Sequence, residues 1–168
     1  MGPGNNLNYT PHALRRDFSP SLALERLNSS VIQWLQDADS FALYARRSQS
    51  VSPGLDGVFT HGGGHFGVGG LVGELSNTYS SPGDPIFWLH HGHIDYLWNE
   101  WQRRNWTIRK DEITGPDVMF GYPWNYFGDP AYTNVTLNTT MDFGPFGREI
   151  TIASLMDISG GLLGYEYS

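Results

Sequence analysis

The chain has 168 residues, with 10 basic against 17 acidic side chains for a net charge of −7, and no cysteine. That length suits a single domain spanning residues 1–168, and 14% aromatic against 16% charged residues gives it the material for a buried core. The acidic balance and the lack of a Lys/Arg run argue against a nucleic acid or membrane-surface partner. No apolar stretch approaches the roughly 18 residues a spanning helix needs, and thiolate chemistry and cysteine-ligated zinc or iron are excluded outright.

In chain order, residues 1–18 are dense in Gly, Pro, Asn and Thr and read as an extended lead-in. Residues 20–47 carry apolar side chains at three- and four-residue intervals and read as two or three short helices, with Ser19, Asn28 or Ser29, and Asp37 or Asp39 as N-caps. A loop over 48–57 leads to a glycine-laden helix over about 58–69, then a Gly/Ser/Asn/Pro loop to Gly83. The clearest element runs from Asp84 to Arg104: Asp84 is a natural cap, and Pro85 sits at the first helical position, where its missing N–H is no loss. A helical wheel puts Ile86, Phe87, His90, His91, Ile94, Leu97, Trp98 and Trp101 on one broad face, with Gly92, Tyr96, Asn99, Glu100 and Arg103 opposite. Beyond Trp106 the chain reads as irregular structure wrapped over a helical core, without internal repeat or interdomain linker.

Five Asn-x-Ser/Thr sequons, at Asn8, Asn28, Asn105, Asn134 and Asn138, lean towards a glycosylated, secreted protein. The strongest chemical signal is histidine. Five of the six fall between positions 61 and 93. His61 and His65 stand one helical turn apart on one face, the spacing that lets two imidazoles hold one metal ion. The intervening Gly62, Gly63 and Gly64 each cost a helix about 1 kcal/mol relative to alanine and leave room above the histidines for a ligand. His90 and His91 lie on an apolar face, where a buried imidazole needs a partner for each nitrogen. Periodicity does not separate the two. Asp95, one turn beyond His91, is placed to take a hydrogen bond from a ligand's distal N–H or to serve as a surface ion-pair partner. Three neutral imidazoles without carboxylate or thiolate suit copper or zinc.

The string Asp84-Pro-Ile-Phe-Trp-Leu-His-His-Gly-His-Ile-Asp-Tyr-Leu-Trp-Asn-Glu-Trp-Gln102 closely resembles the second copper-binding (CuB) signature of the type-3 copper proteins: tyrosinases, catechol oxidases and hemocyanins. His61-Gly-Gly-Gly-His65-Phe-Gly-Val-Gly-Gly70 resembles the paired-histidine helix of the same site in short fungal polyphenol oxidases. Leu14-Arg-Arg-Asp-Phe18 and Gly160-Gly-Leu-Leu-Gly-Tyr-Glu-Tyr167 resemble segments flanking that catalytic core, so the likeness touches nearly the whole chain while two stretches are diagnostic. The resemblance implies a mainly helical fold, the CuB half of an antiparallel four-helix bundle, with His61, His65 and His91 as the copper ligands. His90 then becomes a packing or supporting residue, and His93 an exposed one. Phe66 is expected near the entrance, where it would stack on or gate an aromatic substrate.

The departures from the pattern are specific. Tyr96 stands where relatives often have Arg, and Ala13 and Gly164 stand where some have cysteines. Gly62 replaces the Asn or Asp that helps relatives deprotonate monophenols, which favours diphenol over monophenol oxidation. The second copper (CuA) needs three histidines from an N-terminal segment, and the upstream sequence contains His12 alone. The expected function is oxidation of o-diphenols to o-quinones with O2 reduced to water, by one CuB ion on this chain and a CuA ion on a partner polypeptide of the same precursor. A non-catalytic O2-carrying or degenerate copper module, and a mononuclear zinc hydrolase on the same three histidines, are the alternatives. The hydrolase ranks last because the His61/His65 pair lacks an adjacent Glu as general base.

Overall fold

The computed structural model describes residues 11–52, 54–118, 121, 125 and 128–168. Among them are six α-helices: α1 (Pro20–Arg26), α2 (Ser29–Gln36), α3 (Phe41–Gln49), α4 (Thr60–Gly69), α5 (Pro85–Arg103) and α6 (Trp106–Arg109). A two-stranded antiparallel sheet, β1 (Thr140–Met141) with β2 (Ile150–Thr151), pairs Thr140 with Thr151 and Met141 with Ile150. The architecture is mainly helical, as expected. The short sheet corrects the reading of the tail as irregular; strands of two residues carry too little alternation to register as a pattern. No described helix is long and apolar enough to cross a membrane.

Three helices form where two or three were expected over residues 20–47, the third running on to Gln49, and their caps differ in quality. Asn28 caps α2, its side-chain oxygen accepting from the Val31 N–H at 3.1 Å while its amide donates to the Leu24 and Glu25 carbonyls that end α1. Ser19 makes no side-chain cap bond to α1, where Pro20 already opens the helix. Asp84 does cap α5: its Oδ1 accepts from the Ile86 N–H at 2.9 Å.

The contacts divide the chain into two compact units. The first, residues 1–38 and 45–97, has Leu35, Ala38, Leu75 and Leu97 at its centre. The buried Gln36 spans it, its amide donating to the Leu97 carbonyl at 2.7 Å. Within this unit α4 lies against α1 through its glycines. A Cβ on Gly63 would stand 2.7 Å from Arg26 Cβ and one on Gly67 3.3 Å from Ala23 Cβ, so this four-residue glycine repeat lets the backbones approach. The bonds Ser19 N–H to Gly67 O at 2.8 Å and Asp17 N–H to Val68 O at 3.1 Å extend that seam.

The second unit, residues 39–44 and 98–168, is organised around Trp101, which is fully buried. Phe41 meets Trp98 and Trp101 at ring separations of 5.9 and 6.4 Å, Tyr44 meets Trp101 at 5.1 Å, and the Arg109 guanidinium lies 4.3 Å from the Trp101 ring centre. Gln102, also buried, donates to the Met156 carbonyl at 3.1 Å. The wheel placed Asn99 away from the apolar stripe, and this is corrected: Asn99 is 4% exposed. Its burial is tolerated because its side-chain oxygen accepts from Arg103 Nε at 3.2 Å.

Candidate metal centre

All four clustered histidines belong to the first unit. His61 and His65 come from α4, His90 and His91 from α5. Their ring nitrogens converge: His65 Nε2 stands 3.2 Å from His61 Nε2 and 3.2 Å from His91 Nε2. Ligand atoms of His61, His65 and His90 all lie within 4.8 Å of one another, while His91 reaches the cluster through its 3.2 Å approach to His65.

Hydrogen bonding fixes which ring nitrogen stays free in His61, His65 and His90. His65 Nδ1 is 2.8 Å from the Leu75 carbonyl, which can only accept, so Nδ1 carries the proton and Nε2 keeps its lone pair. His61 Nδ1 lies 2.7 Å from the side-chain oxygen of Gln49, which suits the same tautomer. His90 is the reverse case. Its Nε2 stands 2.8 Å from the His61 carbonyl and must donate there, which leaves its lone pair on Nδ1. Electrostatics keeps the cluster neutral. Burial, then the adjoining imidazoles, pulls the His61 pKa down to about 3, and burial takes His90 to about 4 against the opposing bond to the His61 carbonyl. Burial also lowers His65 and His91.

The glycines between the two α4 histidines have assigned neighbours. The room above Gly64, expected to receive a ligand, is filled by His90: a Cβ at Gly64 would overlap the His90 ring. Gly62 faces the loop before α4, where its Cβ would stand 2.8 Å from Val58 Cβ. Substituting Gly64 with Ala gains about 1 kcal/mol of helix propensity and incurs about 1–3 kcal/mol of overpacking against His90. A net loss of about 1 kcal/mol is expected in chemical denaturation. Gly67→Ala, facing Ala23 at 3.3 Å, should be close to neutral.

The other expected residues are dispersed. Phe66 lines a cavity of about 300 Å³ together with Phe18, Leu22 and Leu71. The phenylalanine that meets the histidines is Phe87, stacked on His91 at 4.2 Å and 27° and 5.9 Å from His65. It lies one turn before His91 on the same helix face, and that spacing was the signal available in the sequence. Asp95 is half-buried one turn beyond His91, His93 is exposed, and Tyr96 stacks on His93 at 6.0 Å. His12 is paired with Glu74, at 3.0 Å. Of the sequons, Asn28, Asn105, Asn134 and Asn138 are exposed, and Asn8 lies outside the described residues.

With this geometry in hand, comparison with known proteins is specific. The family profile described as the common central domain of tyrosinase matches residues 1–104. The N-acetyl-6-hydroxytryptophan oxidase ivoB of Emericella nidulans is 35% identical over 169 residues, covering 98% of this chain and 44% of that protein. A tyrosinase of Streptomyces lincolnensis is 46% identical over 67 residues, 39% of this chain and 23% of the other. Among solved structures, a mutant form of the polyphenol oxidase of Thermothelomyces thermophila superposes with a TM-score of 0.79 at 26% identity, over 99% of this chain and 44% of that one. The chain thus spans 44% of the length of the ivoB oxidase and of the polyphenol oxidase.

Proposed function

The chain belongs to the tyrosinase family of type-3 copper proteins, and from that premise we propose that it carries the CuB side of a copper-dependent oxidase converting o-diphenols to o-quinones. Two diphenols are oxidised for each O2 reduced to two waters. The observation that carries this reading is the approach of His61 and His91 Nε2 to His65 Nε2, with the His65 tautomer set by a backbone carbonyl and that of His61 suited by Gln49 so that their lone pairs face inward.

In this proposal His61, His65 and His91 hold the ion. The donor set fits copper: three neutral nitrogen donors, with no carboxylate or thiolate among them. Bound copper supplies the redox couple that passes electrons from the phenol to O2. His90 leaves the coordination to the other three and ties α5 to the first turn of α4 through the His61 carbonyl. Phe87, stacked on His91, gives the site an aromatic wall for a phenolic ring, the role the sequence had suggested for Phe66. The preference for diphenols rests on the resemblance, in which Gly62 stands where an Asn or Asp would help deprotonate a monophenol; here that position packs against Val58. The CuA ligands lie outside this sequence, which spans 41–44% of the length of these relatives. A secreted location fits the exposed sequons Asn105, Asn134 and Asn138; Asn28 instead has its amide engaged by two carbonyls.

Native mass spectrometry of the purified protein, read before and after endoglycosidase treatment and paired with oxygen uptake on catechol, tests the proposal. Two copper ions, catechol-dependent oxygen uptake and glycan mass at Asn134 or Asn138 are expected. Zinc in place of copper, or stoichiometric copper without catechol turnover, would overturn the oxidase assignment.

A further inference from the structure

We propose that Gln49 is a positioning residue for the metal centre, its side-chain oxygen fixing the tautomer of His61 so that Nε2 faces the other two ligands. This rests on the copper-site reading above and adds to it a residue on a different helix, outside both histidine motifs.

The need for such a residue follows from the three close Nε2 atoms. His65 Nε2 carries a lone pair, because its Nδ1–H is committed to the Leu75 carbonyl. A neutral His61 therefore has two places for its single N–H: Nδ1–H donated to Gln49 Oε1 at 2.7 Å, or Nε2–H donated to His65 Nε2 at 3.2 Å. The first choice leaves His61 able to bind an ion, and the second blocks it. For His65 the choice is built into the backbone. For His61 it depends on one side chain.

The local structure delivers that side chain. Gln49 is the last residue of α3, and the chain next forms an isolated antiparallel bridge, Ser50 with Val58, backed by Val51 N–H to Gly57 O at 2.9 Å. This clamp fastens the end of α3 to the start of α4, one residue before Phe59 and Thr60 lead into His61. Two glycines make it possible. A Cβ on Gly57 would overlap the Ser52 carbonyl, and Gly62 leaves the space that Val58 occupies. Gln49 itself is exposed, so its replacement removes an acceptor without opening the core.

The test uses the intact protein with Gln49→Met, which keeps length and removes the acceptor, and Gln49→Glu, which keeps an acceptor oxygen. Long-range ¹⁵N imidazole NMR on the metal-free protein reads the His61 tautomer, and competition with a Cu(I) chelator reads copper affinity. The wild type and Gln49→Glu should show the Nδ1–H form. Gln49→Met should shift His61 towards Nε2–H and lower copper affinity by about 10- to 100-fold, the usual effect of losing a partner behind a metal ligand. An unchanged tautomer in Gln49→Met, or copper affinity within about twofold of wild type, would overturn the assignment. If the wild type takes up no copper, the copper-site reading fails, and the tautomer comparison still decides whether Gln49 controls His61.

Discussion

Replacing His91 with Ala should remove copper from this site, lowering affinity by more than the roughly 100-fold that marks loss of a supporting residue alone, while His90→Ala should retain a bound ion. The two neighbours differ in what their nitrogens already do. His91 Nε2 points at His65 Nε2, 3.2 Å away, whereas His90 Nε2 donates to the His61 carbonyl. Removing His91 takes one of three donors from the ion. Removing His90 takes a tether between α5 and α4 and leaves an unfilled space over Gly64, so its effect should fall first on stability and on the geometry of His61. Copper per chain by mass spectrometry, measured beside a denaturation curve for each variant, separates the two roles. Stoichiometric copper in His91→Ala with loss in His90→Ala would reverse the ligand assignment.

The distinction between these histidines shows where sequence reasoning stops. The helix over 85–103 was legible because it is long, periodic and opened by Asp84 and Pro85, and the glycine helix was legible from the spacing of its histidines. What each nitrogen bonds was not legible, because the acceptors come from elsewhere: the Leu75 carbonyl from the turn after α4, Gln49 from the end of α3. A lone glutamine before a serine-rich loop carries no local signal. The glycines were read as space for a ligand because sequence reveals the missing Cβ and not the neighbour, and at Gly64 the neighbour is another histidine ring. Asn99 was assigned to solvent by a wheel that treats polarity as exposure, and its bond to Arg103 makes that polarity compatible with burial.

Asp84 carries the second large effect, since it joins the cap of α5 to the segment that precedes α1. Its side chain is fully buried; Oδ1 accepts from the Ile86 N–H and from Arg16 Nη2, each at 2.9 Å, and Oδ2 accepts from Arg16 Nε at 2.9 Å. Asp84→Ala should destabilise the protein by roughly 2 kcal/mol, the upper range for a lost Asp cap, because it also strands the Arg16 guanidinium. Asp84→Asn keeps a capping oxygen of similar quality, so the difference between the two variants separates the cap from the ion pair. The pair also predicts a pH dependence. Arg16, then the Ile86 N–H, hold the Asp84 carboxyl below its ordinary value of 3.8 against the opposing effect of burial. A carboxyl with a depressed folded-state pKa contributes fully above the unfolded value, about 3.9, and loses its contribution as pH falls through the folded one. The stability gap between wild type and Asp84→Asn should therefore be constant from pH 7 to pH 5 and narrow below about pH 4, in denaturant titrations of the metal-free protein. A gap that persists undiminished at pH 3 would assign the effect to packing. A narrowing gap would show that the start of the helix presenting His91 is anchored by charge, seven residues from the proposed metal ligand.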